Sequence, residues 1–60
     1  MERTEFRRKM YDALFARDIE IERIWWDGDD KAEVQALEAG YVPVRLRVVA
    51  DGNDVKVYHR

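Results

Sequence analysis

The chain has 60 residues, a formal net charge of −2 and 47% hydrophobic residues, with no cysteine and one histidine. This length predicts one compact domain over residues 1–60, and the apolar content excludes a disordered chain. Serine is also absent, and His59 is the only histidine. Because nucleophilic catalysis needs an activated nucleophile beside a base, and zinc needs several ligands, we expect no enzymatic activity, no metal and no cofactor.

Hydropathy along the chain bears on where the protein resides. No apolar run approaches the roughly 20 residues that cross a bilayer, and no signal peptide precedes the first predicted helix. A chain without cysteine fits a reducing or an oxidising compartment. The default expectation is a cytoplasmic protein that does not engage membranes.

Residues 5–17 have the periodicity of an amphipathic helix, and Thr4 is the predicted N-cap. Apolar side chains recur at intervals of three and four residues, which places them on one helical face. We expect this stripe to pack on a sheet. It consists of Phe6, Met10, Tyr11, Leu14 and Phe15.

After this helix the period changes to two, which predicts a strand over residues 19–26. The alternation then slips, because Ile24 and Trp26 fall on the parity of the preceding glutamates. A β-bulge near Glu22–Arg23 would return Ile24 and Trp26 to the apolar side, and a strand covered on both faces at its far end would also fit. We favour the bulge.

The acidic turn at residues 27–30 predicts the start of a second helix. Asp30 and Glu33 have the spacing of a capping box, and the neighbouring carboxylates suit the positive end of a helix dipole. The helix is predicted to run through Ala39 and to end at Gly40, since glycine suits the left-handed conformation that follows a helix.

The last twenty residues predict a β-hairpin. Apolar residues alternate over 42–50 and resume over 55–58, with Asp51-Gly52-Asn53-Asp54 between them. A two-residue turn at Asp51-Gly52 or at Gly52-Asn53 gives the same apolar face, so both registers remain open.

These elements predict an α+β fold in the order helix-strand-helix-strand-strand, with a single layer of helices on a three-stranded mixed sheet. The first two strands are expected to run parallel through a right-handed crossover. Pro43 lacks an N–H, which favours the second strand at the edge and the third in the centre, a split β-α-β arrangement with one open sheet face. The predicted core residues are Leu14, Ile21, Leu37, Leu46, Val48 and Val57.

The open face carries the candidate partner-binding residues, which share it by alternation. Basic groups interleaved with an aromatic side chain on a sheet are typical of several small RNA-binding folds. The alternative is that the basic side chains protect a solvated edge strand from aggregation without any partner, which the negative net charge and the lack of an RNA motif favour. The candidate residues are Arg45, Arg47, Lys56, Tyr58 and Arg60.

Two further residue types have open roles. Adjacent strand residues point to opposite faces, so one of Trp25 and Trp26 is expected in the core and the other on the exposed side. The pattern does not decide which. His59 has no second histidine or cysteine to share a metal, and we expect it at the rim of the sheet.

The agreement of local signals (a cap, a glycine stop, a tight turn and matched alternation) is what protein designers aim for. A designed or synthetic scaffold without intrinsic activity is therefore the leading interpretation. The alternative is a small binding module that engages single-stranded nucleic acid or a protein partner through the open face. A homodimer formed through an edge strand is the third interpretation.

Overall fold

The computed structural model describes residues 2–60, which form one helix followed by four strands. The strands are antiparallel neighbours in the order β1-β2-β3-β4, and the helix packs on one face of this sheet. The elements are α1 (Arg3–Ala16), β1 (Ile19–Asp27), β2 (Lys31–Glu38), β3 (Val42–Asp51) and β4 (Asp54–His59).

The α+β class is confirmed, but the predicted arrangement within it is wrong. The order helix-strand-helix-strand-strand fails because the predicted second helix is strand β2. The sheet therefore has four strands rather than three, every pairing is antiparallel, and no crossover connection is needed. The split β-α-β arrangement falls with it, since β3 is an interior strand and β4 lies at the edge.

Strand β2 forms because its buried residues alternate. Ala32, Val34 and Ala36 are at most 1% exposed, and polar residues stand between them. Successive strand residues point to opposite faces, so this spacing places all three against the helix layer. The high helix propensity of alanine, glutamate and leucine is a weak preference that pairing with two neighbouring strands overrides.

The residues predicted to bound the second helix lie in tight turns. Asp30 accepts a hydrogen bond through its main-chain oxygen from the Ala50 N–H at 2.8 Å. Ala39 and Gly40 have φ angles of 53° and 80° and connect β2 to β3, closed by a hydrogen bond from the Tyr41 N–H to the Glu38 carbonyl oxygen at 3.2 Å. Positive φ at both central residues is the pattern of a type I′ hairpin turn, which explains why a glycine is needed here.

The turn also makes a testable prediction, because an alanine is unfavourable at positive φ. We expect Ala39→Asn to raise the free energy of unfolding by about 1 kcal/mol, since asparagine adopts this conformation readily. Urea unfolding followed by circular dichroism measures the change. Ala13→Asn within α1 is the matched control and should destabilise the protein, because asparagine is a poorer helix former than alanine. A helix through Ala39 would make both substitutions destabilising.

The C-terminal hairpin is confirmed as β3 and β4. Asp51 pairs with Asp54 around Gly52-Asn53, which is one of the two predicted turns. Pro43 is the second residue of β3 and pairs with Leu37 of β2, whereas the pairing of β3 with β4 extends only as far as Leu46. One side of β3 is thus unpaired at Pro43, where a residue without an N–H is tolerated in an interior strand.

The β-bulge in the first strand is also confirmed. The register between β1 and β2 shifts between Ile21 and Arg23, which leaves Glu22 as the extra residue. Ile24 and Trp26 thereby return to the helix side and pack against the core, and Trp25 is exposed on the opposite face.

The core lies between α1 and the sheet. Leu14, Leu46 and Val48 are fully buried, and Ile21 and Val57 are partly buried against them, as predicted. Leu37 is the exception among the predicted core residues, because in a strand it falls on the parity opposite to Ala36 and lies outside the core cluster.

Helix α1 is confirmed with two local differences. It begins at Arg3 with Glu2 as N-cap, so Thr4 lies inside the first turn instead of capping it. Phe6, Met10 and Leu14 form its buried face, whereas Phe15 is 84% exposed and does not widen the stripe. No helix within residues 2–60 has the length and apolar character needed to cross a membrane.

Candidate nucleic-acid interface

The face of the sheet opposite α1 is not covered by any element within residues 2–60. Cross-strand pairing arranges its side chains in five rows, and the three central rows take one residue from each successive strand or its continuation. We call this surface the open face. Its central rows are Asp27-Lys31-Val49-Lys56, Trp25-Glu33-Arg47-Tyr58 and Arg23-Gln35-Arg45-Arg60, and its end rows are Asp51-Asp54 and Glu20-Leu37-Pro43.

All the predicted partner-binding residues lie on the open face. Arg45 and Arg47 are on β3, and Lys56 and Tyr58 are on β4. Arg60 continues the ladder beyond β4, since its N–H donates to the Arg45 carbonyl oxygen at 2.8 Å. Each of these side chains is exposed to solvent.

The sequence prediction missed the half of the open face that β1 and β2 supply. The sequence pattern assigns Glu33 to a helix and does not decide which of the two adjacent tryptophans is exposed. The signal that could have found them is the alternation of Lys31, Glu33 and Gln35 with buried residues, combined with the bulge that turns Trp25 away from the helix.

The centre of the open face is cationic although the whole chain is acidic. The three central rows hold six cationic and two anionic side chains, a net charge of +4, and the three carboxylates of the end rows reduce the whole face to +1, against −2 for the chain. One of these carboxylates, Asp51, has Oδ2 3.6 Å from Lys56 Nζ. The cations are Arg23, Lys31, Arg45, Arg47, Lys56 and Arg60, and the anions are Asp27 and Glu33 in the central rows and Glu20, Asp51 and Asp54 in the end rows.

Trp25 forms an aromatic platform on this face. The residue is 40% exposed, and the guanidinium carbons of Arg45 and Arg23 lie 5.0 Å and 5.7 Å from its ring centroid. These distances allow cation–π attraction, which holds two guanidinium groups beside an accessible ring. Tyr58 is 49% exposed at the other end of the same row.

Trp26 has a structural role on the other side of the sheet. Its ring meets Phe6 and Tyr11 edge to face, with centroids 6.5 Å and 6.4 Å apart, and the Arg7 guanidinium carbon lies 4.2 Å above it. The tandem tryptophans therefore divide between packing under α1 and exposure on the open face.

Glu33 is the central anion of the open face. Arg60 donates a hydrogen bond from a terminal guanidinium nitrogen to Glu33 Oε1, and Arg47 Nε lies 3.9 Å from the same oxygen. The Glu33 side chain is only 30% exposed. It thus holds two arginines near the middle of the sheet, both closest to Oε1, while its second oxygen, Oε2, accepts no hydrogen bond from residues 2–60.

Two other places in the fold could bind a ligand in principle. An open groove of about 590 Å³ lies beside the end of α1 and the edge strand β1. His59 is 66% exposed at the rim, with Nε2 3.5 Å from Glu38 Oε2. Among residues 2–60 no group of three or more His, Cys, Asp or Glu side chains is placed to hold a metal ion. The groove is lined by Tyr11, Phe15, Asp18, Ile19, Glu20, Ile21 and Gly40.

Comparison of the chain with models of protein families, with curated proteins and with solved structures finds no match. The geometry and charge of the open face are therefore the features from which a function can be inferred.

Proposed function

We propose that the protein is a non-catalytic binding module that holds single-stranded nucleic acid on its open face. The observation that carries the proposal is the position of Arg45 and Arg47. They project from the interior strand β3, between the exposed rings of Trp25 and Tyr58. Cationic groups between stacking surfaces are the two components that single-stranded nucleic acid requires.

The strand order weakens the alternative explanation, in which the arginines protect an edge. An edge strand needs charged residues because its unpaired N–H and C=O groups attract other strands. β3 has β2 on one side and β4 on the other, so Arg45 and Arg47 protect no edge. Two neighbouring cations on an interior strand are better explained by contact with an anionic partner than by protection of an edge.

The charge distribution supports the same partner. Phosphate groups attract lysine and arginine and release counterions on binding, which makes the interaction favourable and dependent on salt. The three central rows of the open face offer six such side chains, whereas the end rows hold Glu20, Asp51 and Asp54. Repulsion from these carboxylates would restrict the polyanion to the central rows.

The aromatic residues favour a single strand over a duplex. Unpaired bases stack on exposed aromatic rings, and bases inside a duplex cannot. Trp25 and Tyr58 are separated by three strand spacings, about 14 Å, so the two rings would engage different bases. The Arg45 and Arg23 guanidinium groups beside Trp25 add planar surfaces on which a base can stack.

The proposal predicts binding that charge reversal on β3 abolishes. We expect a fluorescein-labelled RNA of mixed sequence, about 10 nucleotides long, to bind in an anisotropy titration. Affinity should fall steeply between about 50 and 200 mM salt, because phosphate contacts dominate. Arg45→Glu with Arg47→Glu should remove binding while leaving the unfolding transition almost unchanged, since exposed charges contribute little to stability.

The matched control places the same charge change on the helix. Arg3→Glu with Arg8→Glu alters two exposed residues of α1, on the opposite side of the sheet, and should retain most of the binding. Equal losses in the two double variants would mean that only net charge matters and would contradict the open face as the site. Failure of the unaltered chain to bind RNA at low salt would leave a scaffold or a protein-binding module instead.

A further inference from the structure

Glu33 is an unexpected residue on a surface that binds phosphates. Its carboxylate lies in the middle row of the open face, with Trp25 and Arg47 as cross-strand neighbours. A negative charge here repels a phosphate backbone, and its removal would make the face more cationic. A surface that served phosphate attraction alone would not place a carboxylate in its centre.

We propose that Glu33, with Arg47 and Arg60, recognises guanine in the bound strand; this inference rests on the proposed function. The Watson–Crick edge of guanine presents two adjacent donors, N1–H and the N2 amino group, beside the acceptor O6. A carboxylate has two oxygens that accept parallel hydrogen bonds, and a guanidinium group donates to O6. Glu33 supplies the two acceptors, and Arg47 and Arg60 supply the donors to O6.

The contacts of Glu33 prepare it for this role. Arg60 and Arg47 both lie closest to Oε1, whereas Oε2 accepts no hydrogen bond from residues 2–60. The partly exposed carboxylate therefore retains accepting capacity and is held in place by its arginines. Directly paired strand residues have Cβ atoms about 5 Å apart, so a base stacked beside Trp25 would bring its edge near Glu33.

The other bases do not match this arrangement. Adenine and cytosine each place a single amino donor beside a ring-nitrogen acceptor, which would face the second carboxylate oxygen. Uracil has one N–H between two carbonyl oxygens. A carboxylate that reads a base edge discriminates because a mismatched base leaves buried polar groups unpaired.

The two rows beside the middle row of the open face give the phosphates a separate path. Lys31 and Lys56 lie in one of them, with Lys56 Nζ 3.6 Å from Asp51 Oδ2, and Arg23 and Arg45 lie in the other. A backbone that follows either row would keep its charge away from Glu33 and direct bases toward the middle row. Contacts to phosphates then set affinity, and contacts to the base edge set preference.

The test uses uridine-rich RNAs of about 10 nucleotides that differ at one central position, which holds guanosine, inosine, adenosine, cytidine or uridine. We expect the guanosine probe to bind about tenfold more tightly than the adenosine, cytidine and uridine probes. Inosine lacks the N2 amino group and should lie between them. Glu33→Gln should remove the preference without weakening the all-uridine probe, because it deletes a charge that repels phosphate.

Glu20→Gln is the matched control, because Glu20 is an exposed carboxylate in an end row of the open face, where it pairs with Leu37 and with no residue of the central rows. It should keep the preference for guanosine. Salt-sensitive binding with no preference among the probes would overturn the guanine inference and leave the proposed function intact. A Glu33→Gln variant that binds every probe more weakly by the same factor would overturn it too, because Glu33 would then only position Arg47 and Arg60. No binding of any probe would overturn both proposals.

Discussion

Leu46→Ala is expected to lower the free energy of unfolding by about 2–5 kcal/mol. Leu46 is fully buried on β3, where it pairs with Val34 of β2 and His59 of β4. Removing its side chain leaves a cavity between the sheet and α1 that the neighbours fill only in part. Because small domains have total stabilities of about 5–15 kcal/mol, the loss should be evident in urea unfolding followed by circular dichroism.

Leu37→Ala is the matched control, since it makes the same chemical change on the other face of the sheet. Leu37 is half-buried and lies outside the core cluster, so the loss should be about 1 kcal/mol. Equal losses for the two variants would place Leu37 in the core, as the prediction of a second helix does. The pair thus tests the assignment of β2 as a strand.

Local signals were sufficient for α1, for the bulge and for the β3–β4 hairpin. The helix follows from a four-residue spacing of buried side chains. The bulge follows from a slip in parity between Ile21 and Ile24, and the hairpin follows from a glycine-containing turn between alternating segments. Each of these signals lies within one continuous segment of the chain, and no distant contact contradicts it.

Strand β2 could not be predicted in this way because its local signals conflict. Asp30 and Glu33 imitate a capping box, and the residues that follow are good helix formers. Burial decides the outcome, because Ala32 and Ala36 are small enough to lie under the large side chains of α1. That requirement depends on the packing of the whole sheet, which no short window contains.

The same conflict explains why only part of the candidate site was predicted from the sequence. Arg45, Arg47 and Tyr58 lie on a hairpin whose pattern is clear, so alternation alone grouped them. Trp25 and Glu33 join them only once β1 and β2 are known to pair beside β3. A site built across several strands can be predicted only as far as the strand order is known.

The tandem tryptophans provide the second large expected effect. Trp26→Ala should lower the free energy of unfolding by about 3 kcal/mol, at the lower end of the range for large aromatic residues because the ring is only partly buried. The substitution removes two edge-to-face contacts, with Phe6 and Tyr11, and the surface beneath Arg7. Urea unfolding followed by circular dichroism is the appropriate measurement, because each variant loses one of the two fluorescent indole rings.

Trp25→Ala should have the opposite effects, with little change in the free energy of unfolding and a clear loss of RNA binding. The ring is exposed on the open face, where its contacts are with the guanidinium groups of Arg23 and Arg45, so unfolding should change by less than about 1 kcal/mol. Loss of a stacking surface should weaken single-stranded RNA binding by about 1–3 kcal/mol. Trp26→Ala should retain RNA binding under conditions in which it remains folded, because that ring faces α1. If both substitutions weakened RNA binding equally while the proteins stayed folded, stacking of a base on Trp25 would be contradicted, because only one of the two indole rings lies on the open face.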